Sequence, residues 1–486
     1  MKSINFFLLS FILILFSCDY DEANSSGYID LSSVEFAGDQ YNELGENQFI
    51  YTETAPISTF SIDADGASYA NVRRFIEQDQ SLPPTAAVRT EELINYFNLD
   101  YGYTDATHPI NLNGEISSCP WQTENKLVRI GMKAKPLNPI DTQASNFVLL
   151  IDVSGSMGSE DKLELLKSGF KDFVDQTSNE DKIAIVTYAG SAGLVLPSTS
   201  CSNKQTIKDA IETLGSGGST AGAEGIITAY DIALENFITN GNNRIIIGTD
   251  GDFNVGISNQ DELISLIEEK RDLGIFLTVL GVGRGNLNDG TLEQIANKGN
   301  GTYEYIDTIE QLHKVFIYDY SKFFTVAKDV KVQVEFNPEI VESYRLIGYE
   351  NRALDTEDFE DDTEDAGEIG ANQNITAIYE IVPTVASNLL NEKAFTIAVR
   401  YKLPDADTSI EMDLDINDQE VTFNQSSDFM KFTASVASFS MLLTDSEFKG
   451  SSSFSNITTW LNDINLNDEH NFKNQFKTMV QSASTL

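Results

Sequence analysis

Three nearly unbroken apolar runs constrain this chain most: FVLLID at 147–152, RIIIGT at 244–249 and IFLTVLGV at 275–282. A strand that is apolar on both faces must be covered on both faces. That points to a mostly parallel sheet with helices above and below it. The intervening segments supply those helices. Residues 162–174 place Leu163, Leu166, Phe170 and Phe173 at helical spacing. Similar patterns predict helices at 207–214, 223–237, 263–271 and 292–297, with a last one at 312–324. Further strands are expected at 183–188, 194–196 and 302–306. Strand–helix alternation of this kind predicts an α/β class, a doubly wound and mostly parallel sheet. Such sheets carry their sites at the carboxyl ends of the strands.

Those ends carry a consistent chemistry. The first run leads into Asp152-Val153-Ser154-Gly155-Ser156, the second into Thr249-Asp250-Gly251, and a loop between them reads Gly217-Gly218-Ser219-Thr220. A DxSxS string alone is weak evidence. It gains weight after a buried strand, joined by a hydroxyl in a glycine-rich loop and an Asp at a second strand end. Two carboxylates and three hydroxyls form an all-oxygen donor set without sulfur or imidazole. That set suits magnesium or manganese in an octahedral shell completed by water or by a partner's oxygen.

This arrangement resembles the metal-ion-dependent adhesion site of von Willebrand factor A domains, and residues 146–324 resemble that Rossmann-like fold. The resemblance implies one Mg2+ or Mn2+ ion per A domain. Ser154 and Ser156 would bind it directly, and Asp152 and Asp250 would touch it or hold its waters. Thr220 would bind when a ligand engages, with Ser219 as the alternative. It also implies a protein partner that offers an Asp or Glu carboxylate. Two carboxylates only just balance a divalent ion, so a further carboxylate oxygen is still attracted.

Composition narrows the rest. The 486 residues fit about three domains. With 32 basic and 75 acidic residues the net charge is −43, which excludes nucleic acid as the main partner. Three histidines (His108, His313, His470) and three cysteines without a CxxC leave little material for zinc sites or His-based triads. GxSxG, HExxH and P-loop motifs are absent, so the chain reads as a binding module and not as an enzyme.

The amino terminus reads as an address. Lys2 precedes an apolar run at 6–16 that is too short to span a bilayer. It ends in Leu15-Phe16-Ser17-Cys18, which resembles a bacterial lipobox, although Phe16 replaces the usual small residue. The resemblance implies a lipid anchor on Cys18 and a place in the cell envelope, at the outer membrane.

The expected organisation is a signal peptide and lipobox at 1–18 and an acidic linker at 19–46. An A-domain-associated region follows at 47–144, the A domain at 145–324 and a C-terminal α+β domain at 325–486. Residues 331–336, 377–382 and 395–401 alternate as strands of one small antiparallel sheet. Helices are expected at 428–443, 454–461 and 472–482. The stretches at 58–69 and 88–97, Cys119-Pro120-Trp121 and DGDFNVG at 250–256 resemble a group of bacterial A-domain lipoproteins. Asp63-x-Asp65 fails the calcium-loop pattern and reads as structural. Residues 355–370 hold nine acids and no base, the composition of a solvated loop. Cys119 and Cys201 would be the thiols of the mature chain, and a disulfide between them is a question of geometry.

Overall fold

The computed structural model describes residues 38–105, 107–138, 143–219, 222–251, 260–385 and 392–486. At its centre is a six-stranded sheet. Its strands are β1 (Ser145–Asp152), β2 (Lys182–Tyr188), β3 (Ala192–Ser200), β4 (Asn242–Thr249), β5 (Ile275–Val282) and β6 (Tyr303–Ile306). They lie in the order β3-β2-β1-β4-β5-β6, all parallel except β3, which pairs antiparallel with β2. β1 and β4 are buried along nearly their whole length, as their apolar runs require.

Helices cover both faces. One core gathers Phe147, Leu149 and Ile151 of β1 with Leu166, Phe170 and Phe173 of α1 (Leu165–Gln176) and with Ile207 and Ile211 of α2 (Lys204–Glu212). The opposite core joins Val148 and Leu150 to Ile226 and Tyr230 of α3 (Gly222–Glu235). Ile267 of α4 (Gln260–Asp272) and Leu292 and Ile295 of α5 (Asp289–Lys298) complete it. Successive residues of β1 thus serve opposite cores, the period-two geometry of a strand. The expected helix at 312–324 begins earlier and is not continuous. It is α-helical over Ile309–His313, then a π turn over Lys314–Tyr318 and a 3₁₀ turn over Tyr320–Phe323.

The flanking regions, expected as separate small domains, share two further sheets. One runs Ile50–Tyr51, Val341–Ile347, Asn374–Pro383, Lys126–Ala134, Ile110–Ser118. The other contains Gly367–Gly370, Thr325–Phe336, Lys393–Lys402 and Ile410–Asn417, and Ile57–Ser61 pairs with Thr325–Phe336. The expected single C-terminal sheet is therefore corrected. Residues 377–382 lie in the first sheet, 331–336 and 395–401 in the second, and N-terminal strands complete both. The sheets face each other across a core that includes Phe60, Val128, Val334, Tyr379 and Ile397. Helices Asp428–Leu443, Phe454–Asn462 and Phe472–Ala483 pack over Leu127, Ile347 and Ile378 on the outer face of the first sheet. Asn374–Pro383 is covered on both sides, and eight consecutive residues are buried.

The acidic run is more structured than a solvated loop. Asp358 and Asp361 offer carbonyls to Lys331, Glu360 and Asp362 pair with Arg400, and Asp365 pairs with Arg271 of α4 at 2.7 Å. The run caps basic residues that alternate along the neighbouring strands. Cys119 and Cys201 are both free thiols, buried in different cores. Among the described residues no helix is long and apolar enough to cross a membrane.

Where the A domain meets the flanking body, buried charge stands beside a small apolar contact made by Ala67 and Ala70. Arg89 pairs with Glu92, with Asp289 at 2.6 Å and with Glu293 at 3.7 Å. Arg352 pairs with Asp63 at 2.9 Å and Asp65 at 3.8 Å, so the DxD reads as structural here too. Asp65 also accepts the amide of Tyr303 on β6. Acids outnumber cations at this seam, and burial disfavours the charged form. Burial pushes Glu92 up to about 8 despite Arg89, with Asp63 and Glu293 adding to the rise. Asp65 and Glu91 are likewise raised, by burial first and by neighbouring carboxylates second.

A carboxyl whose folded pKa exceeds its unfolded one binds more protons in the folded state. Its contribution is complete at low pH and is lost as the pH rises through the folded value. Unfolding free energy should therefore fall between about pH 5 and about pH 8. Glu92→Gln should flatten that slope. Chemical denaturation across the range checks this, and a stability that climbs through the window contradicts it.

Candidate metal centre

The strand order reverses between β1 and β4: from β1 the chain winds outward through β2 and β3, and from β4 outward through β5 and β6. The crevice beyond the carboxyl ends of these two strands is the topological switch point. Asp152 is the last residue of β1, and Asp250 directly follows β4. Both are fully buried.

The loop after β1 turns back over its own carboxylate. Asp152 Oδ1 accepts the Ser154 amide at 2.8 Å. A 3₁₀ turn at Gly155–Gly158 then brings the Ser156 hydroxyl to 3.0 Å from that of Ser154. The Ser156 hydroxyl also reaches Asp250, so the hydroxyls of this loop lie between the two carboxylates. Ser154 is buried, whereas Ser156 is exposed and marks the open side of the site. The glycine-rich loop closes over this turn: Gly155 N donates to Gly218 O at 3.1 Å, and Gly217 N to Val153 O at 2.7 Å. Ser219 is exposed on the same rim. Gly251 takes φ +88, and a Cβ there would come within 2.9 Å of Asn288 N, so the chain leaves Asp250 by a path that suits glycine.

Four of the five expected ligands, Asp152, Ser154, Ser156 and Asp250, thus converge. Thr220 lies outside the described residues, as do Cys18 and residues 252–256. Three contributors were not anticipated. Thr249 donates to Asp152 Oδ2 at 3.1 Å and accepts the Gly251 amide at 3.1 Å. Lys162 Nζ donates to Asp250 Oδ2 at 3.1 Å, and Asn286 Nδ2 donates to the same oxygen at 3.0 Å. Lys162 had a legible signal, since it lies four residues before Leu166 on the buried stripe of the helix. Asn286 had none, because a loop residue's neighbours are set by the fold.

The two carboxylates are electrostatically unequal. Burial pushes Asp152 above the usual carboxylate range, against hydrogen bonds from Ser154, and the charge of Asp250 adds to the rise. Asp250 lies below that range, because hydrogen bonds from Asn286 and Ser156 and the charge of Lys162 outweigh its burial. Among the described residues Asp152 has no cationic partner within ion-pair distance, whereas Asp250 has Lys162. An anion buried without a counter-charge is costly. Hard oxygens around it fit a hard divalent cation. Among the described residues no three His, Cys, Asp or Glu side chains converge as a cage, so an ion here would depend on hydroxyls and water.

Comparison with known proteins agrees with the A-domain fold. Residues 35–129 match the family model for von Willebrand factor, residues 146–316 that for the von Willebrand factor type A domain, and residues 321–486 that for the C-terminal region of uncharacterized protein YfbK. The chain is 38% identical over 469 residues to uncharacterized protein YfbK of Escherichia coli (strain K12), covering 91% of this chain and 81% of that one. The chain belongs to the YfbK family.

Like its YfbK relative, it is more than an A domain. Uncharacterized protein sll0103 of Synechocystis is 28% identical over 195 residues, 39% of this chain and 44% of that one. Among solved structures, conserved hypothetical protein BatB from Bacteroides thetaiotaomicron is 25% identical. It aligns over 37% of this chain and 98% of its own, with TM-score 0.32. A von Willebrand factor type A protein from Catenulispora acidiphila is 14% identical over 79% of this chain and 97% of its own, with TM-score 0.43. In this member of the YfbK family, Thr249→Val should leave Asp152 Oδ2 and the Gly251 amide without their shared hydroxyl. The expected cost is about 1–3 kcal/mol of unfolding free energy. Denaturant titration reads it, and a change below about 0.5 kcal/mol would show that Thr249 does not support the site.

Proposed function

We propose that this protein is a divalent-cation-dependent binding module. One magnesium or manganese ion sits among Asp152, Ser154, Ser156 and Asp250, with Thr220 as the further ligand, and captures an Asp or Glu carboxylate of a protein partner. The A domain is a fold commonly used for protein interaction, and the observation that carries the metal reading is Asp152. It is a buried carboxylate with no cation of the described residues within ion-pair distance, and its hydrogen bonds come from Thr249 and Ser154. When bound, the ion supplies an electrophilic open position. This chain's own part is to orient the donors and keep them dry.

The surroundings favour an acidic partner. Residues 183–203 and 213–223 contain no charged side chain, in a chain of net charge −43. The two stretches adjoin: a Cβ on Gly190 would lie 3.5 Å from Ser219 Oγ. One side of the rim therefore presents no acid to repel an incoming carboxylate. A lipid anchor at Cys18 would hold the module in the cell envelope, at the outer membrane, with residues 19–46 as its linker.

Calorimetric titration of Mn2+ into the purified protein should give one site, absent in Asp152→Ala. Acetate, as a stand-in for the partner's carboxylate, should tighten it. If the wild type binds no ion with or without acetate, a metal-independent scaffold in an envelope complex replaces this reading.

A further inference from the structure

Lys162 occupies a seat built for it beside the candidate metal centre. Its stem crosses Gly283, where φ is +76 and a Cβ would lie 2.0 Å from Lys162 Cε and 2.8 Å from Cγ and Cδ. A side chain at 283 and the lysine stem could not share that space. At the end of the stem, Nζ donates to Asn286 Oδ1 at 2.8 Å and to Asp250 Oδ2 at 3.1 Å, while Asn286 Nδ2 donates to the same carboxylate oxygen. Only 6% of Lys162 is exposed.

The loop that forms this seat is itself tied down. Asp39 Oδ1 accepts the amides of Gly285 at 2.6 Å and Leu287 at 3.2 Å. Its Oδ2 accepts from Arg74 at 2.8 Å, and Gln40 pairs with Asn288 in a short parallel bridge. The ammonium is therefore held by glycine clearance, an amide and a strapped loop, and does not swing freely as a surface lysine does.

We infer that Lys162 is a resident counter-cation that lowers the intrinsic ion affinity of the site and makes tight ion binding depend on an anionic ligand. This rests on the reading under Proposed function. The two carboxylates and one ammonium leave a single negative charge at the site. A divalent ion converts that to a single positive charge, which a partner carboxylate neutralises. Without the lysine the loaded site would already be neutral, and an anion would be attracted less strongly than to the singly positive site. Ion and anion binding are thereby linked, and the linkage is reciprocal. Lys162 is a positioning residue in this scheme: it touches Asp250 and is not a ligand of the ion.

The test is Mn2+ calorimetry on wild type, Lys162→Met, Lys162→Gln and Asp152→Ala, with and without acetate at constant pH and ionic strength. Melting curves identify any variant that fails to fold, and the Gln variant keeps a hydrogen-bonding group in the seat should Met not be tolerated. Without acetate, removing Lys162 should tighten Mn2+ binding by about tenfold, and the gain from acetate should shrink by a similar factor. A folded Lys162 variant that binds Mn2+ as weakly as wild type, or more weakly, overturns the inference while leaving the metal reading intact. So does an unchanged acetate effect. If wild type and Lys162 variants all behave like Asp152→Ala, the metal reading fails and takes this inference with it. If only the Lys162 variants bind without acetate, both stand.

Discussion

Antiparallel pairing between opposite ends of the chain is the constraint on which this architecture depends. Ile57–Ser61 lies against Thr325–Phe336, and Lys126–Ala134 against Asn374–Pro383. These ladders close over the whole A domain, which becomes an insertion within a two-sheet body. Closing so long a loop costs chain entropy, which only the shared sandwich core offsets. Isolated, either flanking region would expose strands such as Asn374–Pro383 that are buried on both faces. The seam follows from the same closure. Across it Arg89 meets Asp289, Arg352 donates to Asn297 and Arg73 pairs with Asp307, beside a small apolar contact through Ala67 and Ala70.

The site inherits its form from the sheet. A doubly wound order leaves a crevice where the winding reverses, and the two aspartates end the strands that border it. Burial at that point does electrostatic work, because charges interact more strongly away from water. The chain arranges the two carboxylates differently: Asp250 is shared by a lysine, an amide and a serine, while Asp152 is held by one backbone amide and neutral hydroxyls. This asymmetry separates a carboxylate already neutralised by the chain from one that is not.

Both flanks are joined closely to the A domain, the amino-terminal one at the loop beside this crevice. On the amino-terminal side, Asp39 and Gln40 strap the loop that carries Asn286. On the carboxyl-terminal side, the short helical segments from Ile309 to Phe323 run directly into Thr325–Phe336, a strand of the sandwich that has partners on both edges. The A domain of this chain is therefore built into its surroundings on two sides, as a freely tethered module would not be.

Much of the A domain was legible because its signals are local. Apolar runs, helical spacing and carboxylates at strand ends are set by residues close in sequence, and β1, β4 and β5 with their site residues follow from them. Lys162 was not anticipated, although its spacing to Leu166 sets it on the buried stripe. What only the tertiary structure decided was everything that depends on long-range pairing: the sharing of two sheets by the flanking regions, the capping of Lys331 and Arg400 by the acidic run, the separation of Cys119 from Cys201, and the seat that Gly283, Asn286 and Asp39 make for Lys162. The physical reason is the same in each case. A strand's alternation records that one face is buried but not against which strand, and a loop side chain takes its role from neighbours that arrive only when the chain has closed.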